Sequence, residues 1–449
     1  MLIFSGGDIV LSLLADNVQV YKVRVDFKGV ERLVGSIFLG KVKKLAKGMD
    51  GVFVDVGLKR DAYLPLKDGK SYKVGDKVIV QLAREGEEYR GAKLTDKVKL
   101  VGKYLVYFPE GKDIKCSLKL KEEDKNTLSL IVGEVLKDEG VIIRSTAARA
   151  SPEEIKEEVE RLKSLWHDIQ KKARLAKKPK MLLEAPPNYI KLIQEHWHEL
   201  EQIVCDSPEL WNDAVSFLES FEPGLMGRTI YAKDPSAYTT LYNIHHVINR
   251  LMSKTVWLKS GGFIVIEETE AFVVIDVNSG DPTGSCHEEN ALKTNLEAAK
   301  EIARQIILRD LGGIILVDFI DMKKSENKKL VVDKLMEALG EEACHVKVYG
   351  FTKLGILEMV RKKTSKSVPR MLSEPCPFCS GKGYIKSASI LGFEIGKDPR
   401  MRRYKNIKLE LNPKRKEDVE KVLRKMGFTN LTFETSEDTG MDVYNISNA

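Results

Sequence analysis

Apolar and polar positions alternate from the start of the chain. Val18-Gln19-Val20-Tyr21-Lys22-Val23-Arg24-Val25 has the period of a half-buried strand, and residues 1 to about 34 read as a few short strands. They are too few to enclose a core, so they predict pairing with a later segment. From Gly35 to about Pro109 the pattern stays all-β: strand, a turn at Lys47-Gly48-Met49-Asp50-Gly51, strand, turn, strand, then VGDKVIVQLAREG. Such a series of short strands fits a small OB-type barrel. Within it Val52, Val54 and Val56 share one face, which leaves Phe53 and Asp55 on the other.

The period then changes. GVIIRSTAARAS reads as a strand leading into a helix with Ser151 as N-cap, Pro152 at N1 and Glu154 at N3, a capping box. Ile155, Val159, Leu162, Trp166 and Ile169 form its buried stripe. Residues 186 to about 257 read as largely helical, with Trp197, Leu200, Ile203 and Trp211 in the core.

The most informative stretch runs from Gly261 to Asp321. Two apolar strands, Phe272-Val273-Val274-Ile275 and Ile314-Ile315-Leu316-Val317, run straight into Asp276 and Asp318. Between them Leu292, Leu296, Ala299, Ala303 and Ile306 recur at helical spacing, and Gly312-Gly313 marks the expected helix end. A buried strand ending in Asp delivers a rigid acid at a sheet edge, which suits a hard cation such as Mg²⁺. A lone Asp there is more often a turn or cap residue. Two in one unit, with Asn278 and Asp321 at the same ends, make a candidate metal site.

Beyond it, Ser325 begins a helix that carries Leu335, Met336 and Leu339 and ends at Gly340. HVKVYGFTKLGILEMVRKKT reads as a strand, a glycine-containing turn and a basic helix. CPFCSGKG then sets Cys376 and Cys379 at the spacing of a two-thiolate zinc knuckle; a redox pair and two idle thiols are the other readings. The end of the chain reads as a strand, a helix closed by Gly427, and two more strands.

Composition narrows the classes. The chain has 449 residues, 43% hydrophobic and 31% charged, with a net charge of +7, too modest over this length to prove a nucleic-acid partner by itself. Its 6 cysteines are scattered apart from the one close pair, which argues against a disulfide scaffold. His196/His198 and His245/His246 lack the HExxH spacing of a zinc protease. The N-terminus has no basic n-region and no apolar run is long enough to span a bilayer, so a cytoplasmic protein is expected. On the barrel, Phe53 and Tyr63 are candidate base-stacking rings unless they cover a neighbouring domain. Lys41, Lys43, Lys44, Lys59 and Arg60 are candidates for the adjoining phosphate track.

IDVNSG after the GGFIVIEETEA hairpin, followed by TNLEAAKEIARQIILRDLGGIILVDFIDM, closely resembles the catalytic domain of the ribonuclease E/G family. The resemblance implies a multidomain α/β and β protein, with an OB-type barrel inserted in an RNase H-like domain, then a DNase I-like α/β catalytic domain and a zinc-link. Carried over, residues 1–34 with 187–257 form the RNase H-like domain, without catalysis, and 35–109 the RNA-binding barrel, with aromatics at Phe53 and Tyr63. Residues 110–186 become the 5′-end sensor, 258–372 the catalytic domain and 373–384 the zinc-link. Residues 385–449 are a small α+β module that the resemblance does not reach. Mg²⁺ falls on Asp276 and Asp318, with Asn278 orienting the attack. In the sensor Arg144 matches an arginine that reads a 5′-monophosphate. Its hydroxyl partner is Ser145 or Thr146, and a supporting arginine of the family aligns with His345. Zn²⁺ shared between Cys376 and Cys379 of two chains implies a homodimer. The implied activity is Mg²⁺-dependent endonucleolytic cleavage of single-stranded RNA, leaving 5′-phosphate and 3′-hydroxyl ends, in ribosomal RNA maturation or messenger turnover. Two rivals are an RNA-binding scaffold without catalysis and a metal phosphoesterase acting on DNA.

Overall fold

The N-terminal strands pair forward along the chain. In a computed structural model, which describes all residues except 18, 47, 67–70, 87–90, 281–286, 364, 380, 382, 438 and 449, Leu2–Gly6 lies parallel to Ile203–Cys205, with Leu2 opposite Val204. The five-stranded sheet is completed by Ile9–Asp16, Gln19–Phe27 and Thr229–Tyr231. Ile3, Val10 and Leu14 meet Tyr189, Ile193, Leu210 and Leu218 beneath it. Residues 186–257 are largely helical, as their spacing predicts, but Ile203–Cys205 and Thr229–Tyr231 add two strands to this sheet. Ile203, Val204 and Cys205 are buried because they fill a middle strand of that sheet. Val18 of the alternating run and Lys47 of the first barrel turn lie outside the described residues.

Next, Ile37–Leu45, Gly51–Asp55, Ala62–Pro65, Lys93–Thr95 and Lys77–Arg84 pair in that order, and the last strand returns to the first, closing a five-stranded barrel. Val52, Val54 and Val56 point inward to Phe38, Leu64, Leu82 and Leu94, leaving Phe53 outside, as the alternation predicts. Closure is tight at Gly40, where a Cβ would stand 2.4 Å from Val54 Cγ1.

The long helix Pro152–Leu175 carries the predicted capping box. Its Glu158 carboxylate is buried and accepts the backbone N–H groups of Lys103 (2.6 Å), Tyr104 (2.7 Å) and Leu105 (2.9 Å). An anion held by several N–H donors fixes the loop at Gly102-Lys103 firmly against the helix.

The last sheet of this unit runs Thr255–Trp257, Phe263–Glu268, Phe272–Asn278, Gly313–Asp318, Ile356–Arg361, Val346–Phe351. Helices His287–Leu308 and Ser325–Leu339 cover one face, where Ala298, Ala299, Ile302, Ala303 and Ile306 meet Ile264, Ile275, Ile315 and Val317. Two expectations change here. The first helix is closed by Asp310 at φ 52°, not by the glycine pair, with the Leu311 N–H donating back to Ile306 O. The expected basic helix is instead the strand Ile356–Arg361, because Leu357, Met359 and Arg361 alternate into the core. Arg361 pairs with Asp310 and Glu342, both at 2.9 Å, so its charge is structural.

Met1–Met371 forms one compact unit and Leu372–Ala449 another. In the second, Ile407–Leu411 lies parallel to Leu431–Thr435 and antiparallel to Tyr444–Asn448. Leu391, Ile395, Val419 and Leu423 of two helices fill its core. No described helix is long and apolar enough to cross a membrane.

Candidate functional site

The strands Phe272–Asn278 and Gly313–Asp318 pair in parallel, from Phe272 opposite Ile314 to Asp276 opposite Asp318. Their odd positions, Val273, Ile275, Val277, Ile315 and Val317, are buried under the helices. Strand alternation then turns Asp276 and Asp318 to the open face, on neighbouring strands about 4.8 Å apart. Asn278 Nδ2 donates to Asp276 Oδ2 at 2.8 Å. Partial burial raises the pKa of Asp318 above its ordinary value, and so do the negative charges of Asp276 and Asp321. Asp321 Oδ1 lies 3.5 Å from the position a Cβ would take on Gly355, which adopts φ 88°.

Asp318, raised by the charges of its two neighbours, stands in a site whose negative charge a cation would relieve. Among the described residues, no group of three or more His, Cys, Asp or Glu makes a metal cage by itself. Mg²⁺ does not need one: it takes one or two carboxylates, keeps several waters, and completes its shell with substrate phosphate. The oxygen donors of Asp276 and Asp318 fit that habit.

On the barrel, register places four side chains in one outward row. Lys44 stands opposite Phe53, Phe53 opposite Tyr63, and Tyr63 opposite Lys93. The two rings are 5.8 Å apart between centroids, and Lys44 Nζ sits 4.8 Å from the Phe53 centroid. The Tyr63 ring lies over Gly51, where a Cβ would come within 2.3 Å of it. Lys41 is exposed opposite Asp55, while Lys43 is tied to Asp55 at 3.2 Å. Lys93 was missed in the sequence because a short parallel pairing brings it to Tyr63.

Arg144 and Thr146 both reach the loop fixed by Glu158. Arg144 Nη1 donates to Gly102 O at 2.8 Å, and Thr146 Oγ1 donates to Lys103 O at 2.9 Å. Thr146 is buried, whereas Ser145 and His345 are exposed.

In the second unit, Cys376 is exposed and Cys379 half-buried. Backbone N–H groups of Cys379 and Phe378 lower the pKa of the Cys376 thiol, and the Gly383 N–H donates to Cys379 Sγ at 3.2 Å. The N–H donors directed at the Cys376 sulfur favour its thiolate, the form that binds zinc. Ser380 and Lys382 of the knuckle lie outside the described residues.

Comparison with known proteins adds independent findings. The model of the ribonuclease E/G family matches residues 99–364. Ribonuclease G of Haemophilus influenzae is 33% identical over 408 residues, covering 85% of this chain and 83% of that protein. Ribonuclease G of Escherichia coli strain K12 is 28% identical over 401 residues, covering 83% and 82%. Ribonuclease E of the same strain is 30% identical over 411 residues, 85% of this chain but 38% of its own length.

Proposed function

We propose, from the premise that the chain belongs to the ribonuclease E/G family and is an endoribonuclease of RNA processing or decay, that it cleaves single-stranded RNA with Mg²⁺ held by Asp276 and Asp318. The observation that carries this reading is the register that sets the two carboxylates side by side on the open face. When bound, Mg²⁺ supplies Lewis-acid polarisation of the scissile phosphate and lowers the pKa of water. Asp276 and Asp318 hold the ion, and Asn278, fixed against Asp276, orients the reacting phosphate or water. Water adds to phosphorus in line and the 3′-oxygen leaves with a proton, giving 5′-phosphate and 3′-hydroxyl ends.

Phe53 and Tyr63 hold unpaired bases, with Lys41, Lys44 and Lys93 alongside for phosphates; a duplex hides the faces these rings need. Arg144 and Thr146, both anchored to the Gly102-Lys103 loop, line a pocket for a 5′-monophosphate. Zn²⁺ shared by Cys376 and Cys379 of two chains joins a homodimer. The RNase H-like and DNase I-like descriptions of the flanking and catalytic sheets belong to the same reading.

Mapping the products of a defined A/U-rich RNA, with their end chemistry, in Mg²⁺ or EDTA and beside DNA of the same sequence, tests it. Internal cuts that need Mg²⁺, spare DNA and leave 5′-phosphates support the reading. Binding without cleavage leaves a scaffold, and equal cutting of DNA leaves a general phosphoesterase.

A further inference from the structure

We infer that Trp257 and Phe263 form a second base-stacking subsite, on the catalytic sheet itself, for the nucleotide beside the scissile phosphate. The inference rests on the single-stranded RNA reading above and names the part of the substrate that meets this face.

Register carries it. Trp257 stands opposite Phe263, and Phe263 stands opposite Asn278. Directly opposed residues share a face, so the rings lie on the same open side as Asp276 and Asp318. The positions between them, Val256, Ile264 and Val277, are buried against the helices. Phe263 is therefore one strand spacing from Asn278, and Trp257 two, about 10 Å. A nucleotide whose phosphate lies at the acids can lay its base on these rings.

The rings make a platform rather than a core. Their centroids are 5.2 Å apart with planes tilted by 55°, and Trp257 remains 69% exposed. The other tryptophans, Trp166, Trp197 and Trp211, are buried or half-buried. The hairpin is held in place from below. The Leu258 N–H donates to Gly262 O at 2.7 Å, and the Lys259 N–H donates to Glu297 Oε1 of the covering helix at 2.6 Å. Lys259, two residues after Trp257, is exposed at that turn. An exposed indole beside a half-buried phenyl ring, on the same face as the acids, suits an unpaired base, whose stacking on an aromatic is tolerant of sequence.

The test uses the full chain, with Trp257→Ala and Trp257→Phe. First, a single-stranded RNA oligomer is titrated in EDTA while tryptophan fluorescence is followed. Expected is quenching that Trp257→Phe abolishes, and affinity about tenfold weaker in Trp257→Ala but close to wild type in Trp257→Phe. Second, cleavage in Mg²⁺ is compared on intact RNA and on RNAs made abasic at single positions near the cut. Wild type should lose about tenfold in kcat/KM at one such position, and Trp257→Ala should show no further loss there. Unchanged affinity and cleavage in Trp257→Ala, or equal losses on intact and abasic RNA, overturn the subsite and leave the nuclease reading standing. A Trp257→Ala chain of lower mass that binds RNA normally gives the face to a second copy and also overturns it. Failure of wild type to cut RNA in Mg²⁺ removes the nuclease reading and the subsite with it.

Discussion

The rings of Phe53 and Tyr63 face each other across two barrel strands, flanked by Lys44 on one side and Lys93 on the other. Each ring should carry one unpaired base. Phe53→Ala and Tyr63→Ala are each expected to weaken single-stranded RNA binding about tenfold, within the ~1–3 kcal/mol typical of a base stacked on an aromatic. Cleavage at saturating RNA should stay near wild type. Fluorescence anisotropy and saturation kinetics check this; a loss of kcat with affinity intact contradicts it.

Asn278 Nδ2 donates to Asp276 Oδ2 at 2.8 Å, and on the proposed reading it positions both that acid and what the acid would hold. Asn278→Ala should lower kcat by about 10–100-fold with little change in KM, as removal of a group that orients a metal ligand does. Steady-state kinetics at several Mg²⁺ concentrations read the split. A pure KM effect would place Asn278 in RNA binding instead.

Some of this was legible from residue pattern alone, and some was hidden by contacts that pattern cannot express. Apolar runs ending in Asp276 and Asp318 announce acids at strand ends, and the Val52-Val54-Val56 phase announces an outward Phe53. The strand Ile356–Arg361 is hidden because Arg361, Lys362 and Lys363 make the segment read as a basic helix. Arg361 in fact turns inward to Asp310 and Glu342. Asp310 does not announce itself as a helix terminator because glycine is the usual choice; its left-handed turn comes with ion pairs to Arg361 at 2.9 Å and Arg24 at 3.5 Å. Lys93 reaches the ring row only through the short parallel pairing of its strand with Ala62–Pro65, a long-range contact with no local signal.

That inward charge network gives a pH prediction. Burial alone would raise the pKa of the Glu342 carboxyl, but Lys22 and Arg361 outweigh burial and bring it from 4.5 to about 2. A depressed carboxylate stabilises the fold above its unfolded pKa, and this contribution fades as pH falls from 4.5 toward 2. The contribution is about 3 kcal/mol at neutral pH. Urea unfolding from pH 7 to 2 should show Glu342→Gln less stable at neutrality and less sensitive to acid across that window. Parallel stability curves for variant and wild type contradict the assignment.

Each chain offers two sulfurs, Cys376 and Cys379, with N–H donors already directed at them. Cys376→Ser and Cys379→Ser should each abolish bound zinc and halve the mass measured by light scattering. A dimer of unchanged mass that keeps its metal contradicts the shared site.

The central claim is that Asp276 and Asp318, opposed in register, hold one divalent ion for cleavage. The most direct measurement is the single-turnover cleavage rate of Asp276→Asn and Asp318→Asn at saturating RNA, followed across Mg²⁺ concentration. Expected for each is a rate about 100-fold lower or less, with Mg²⁺ dependence shifted to higher concentration and RNA affinity unchanged. A wild-type rate with wild-type Mg²⁺ dependence in either variant contradicts it.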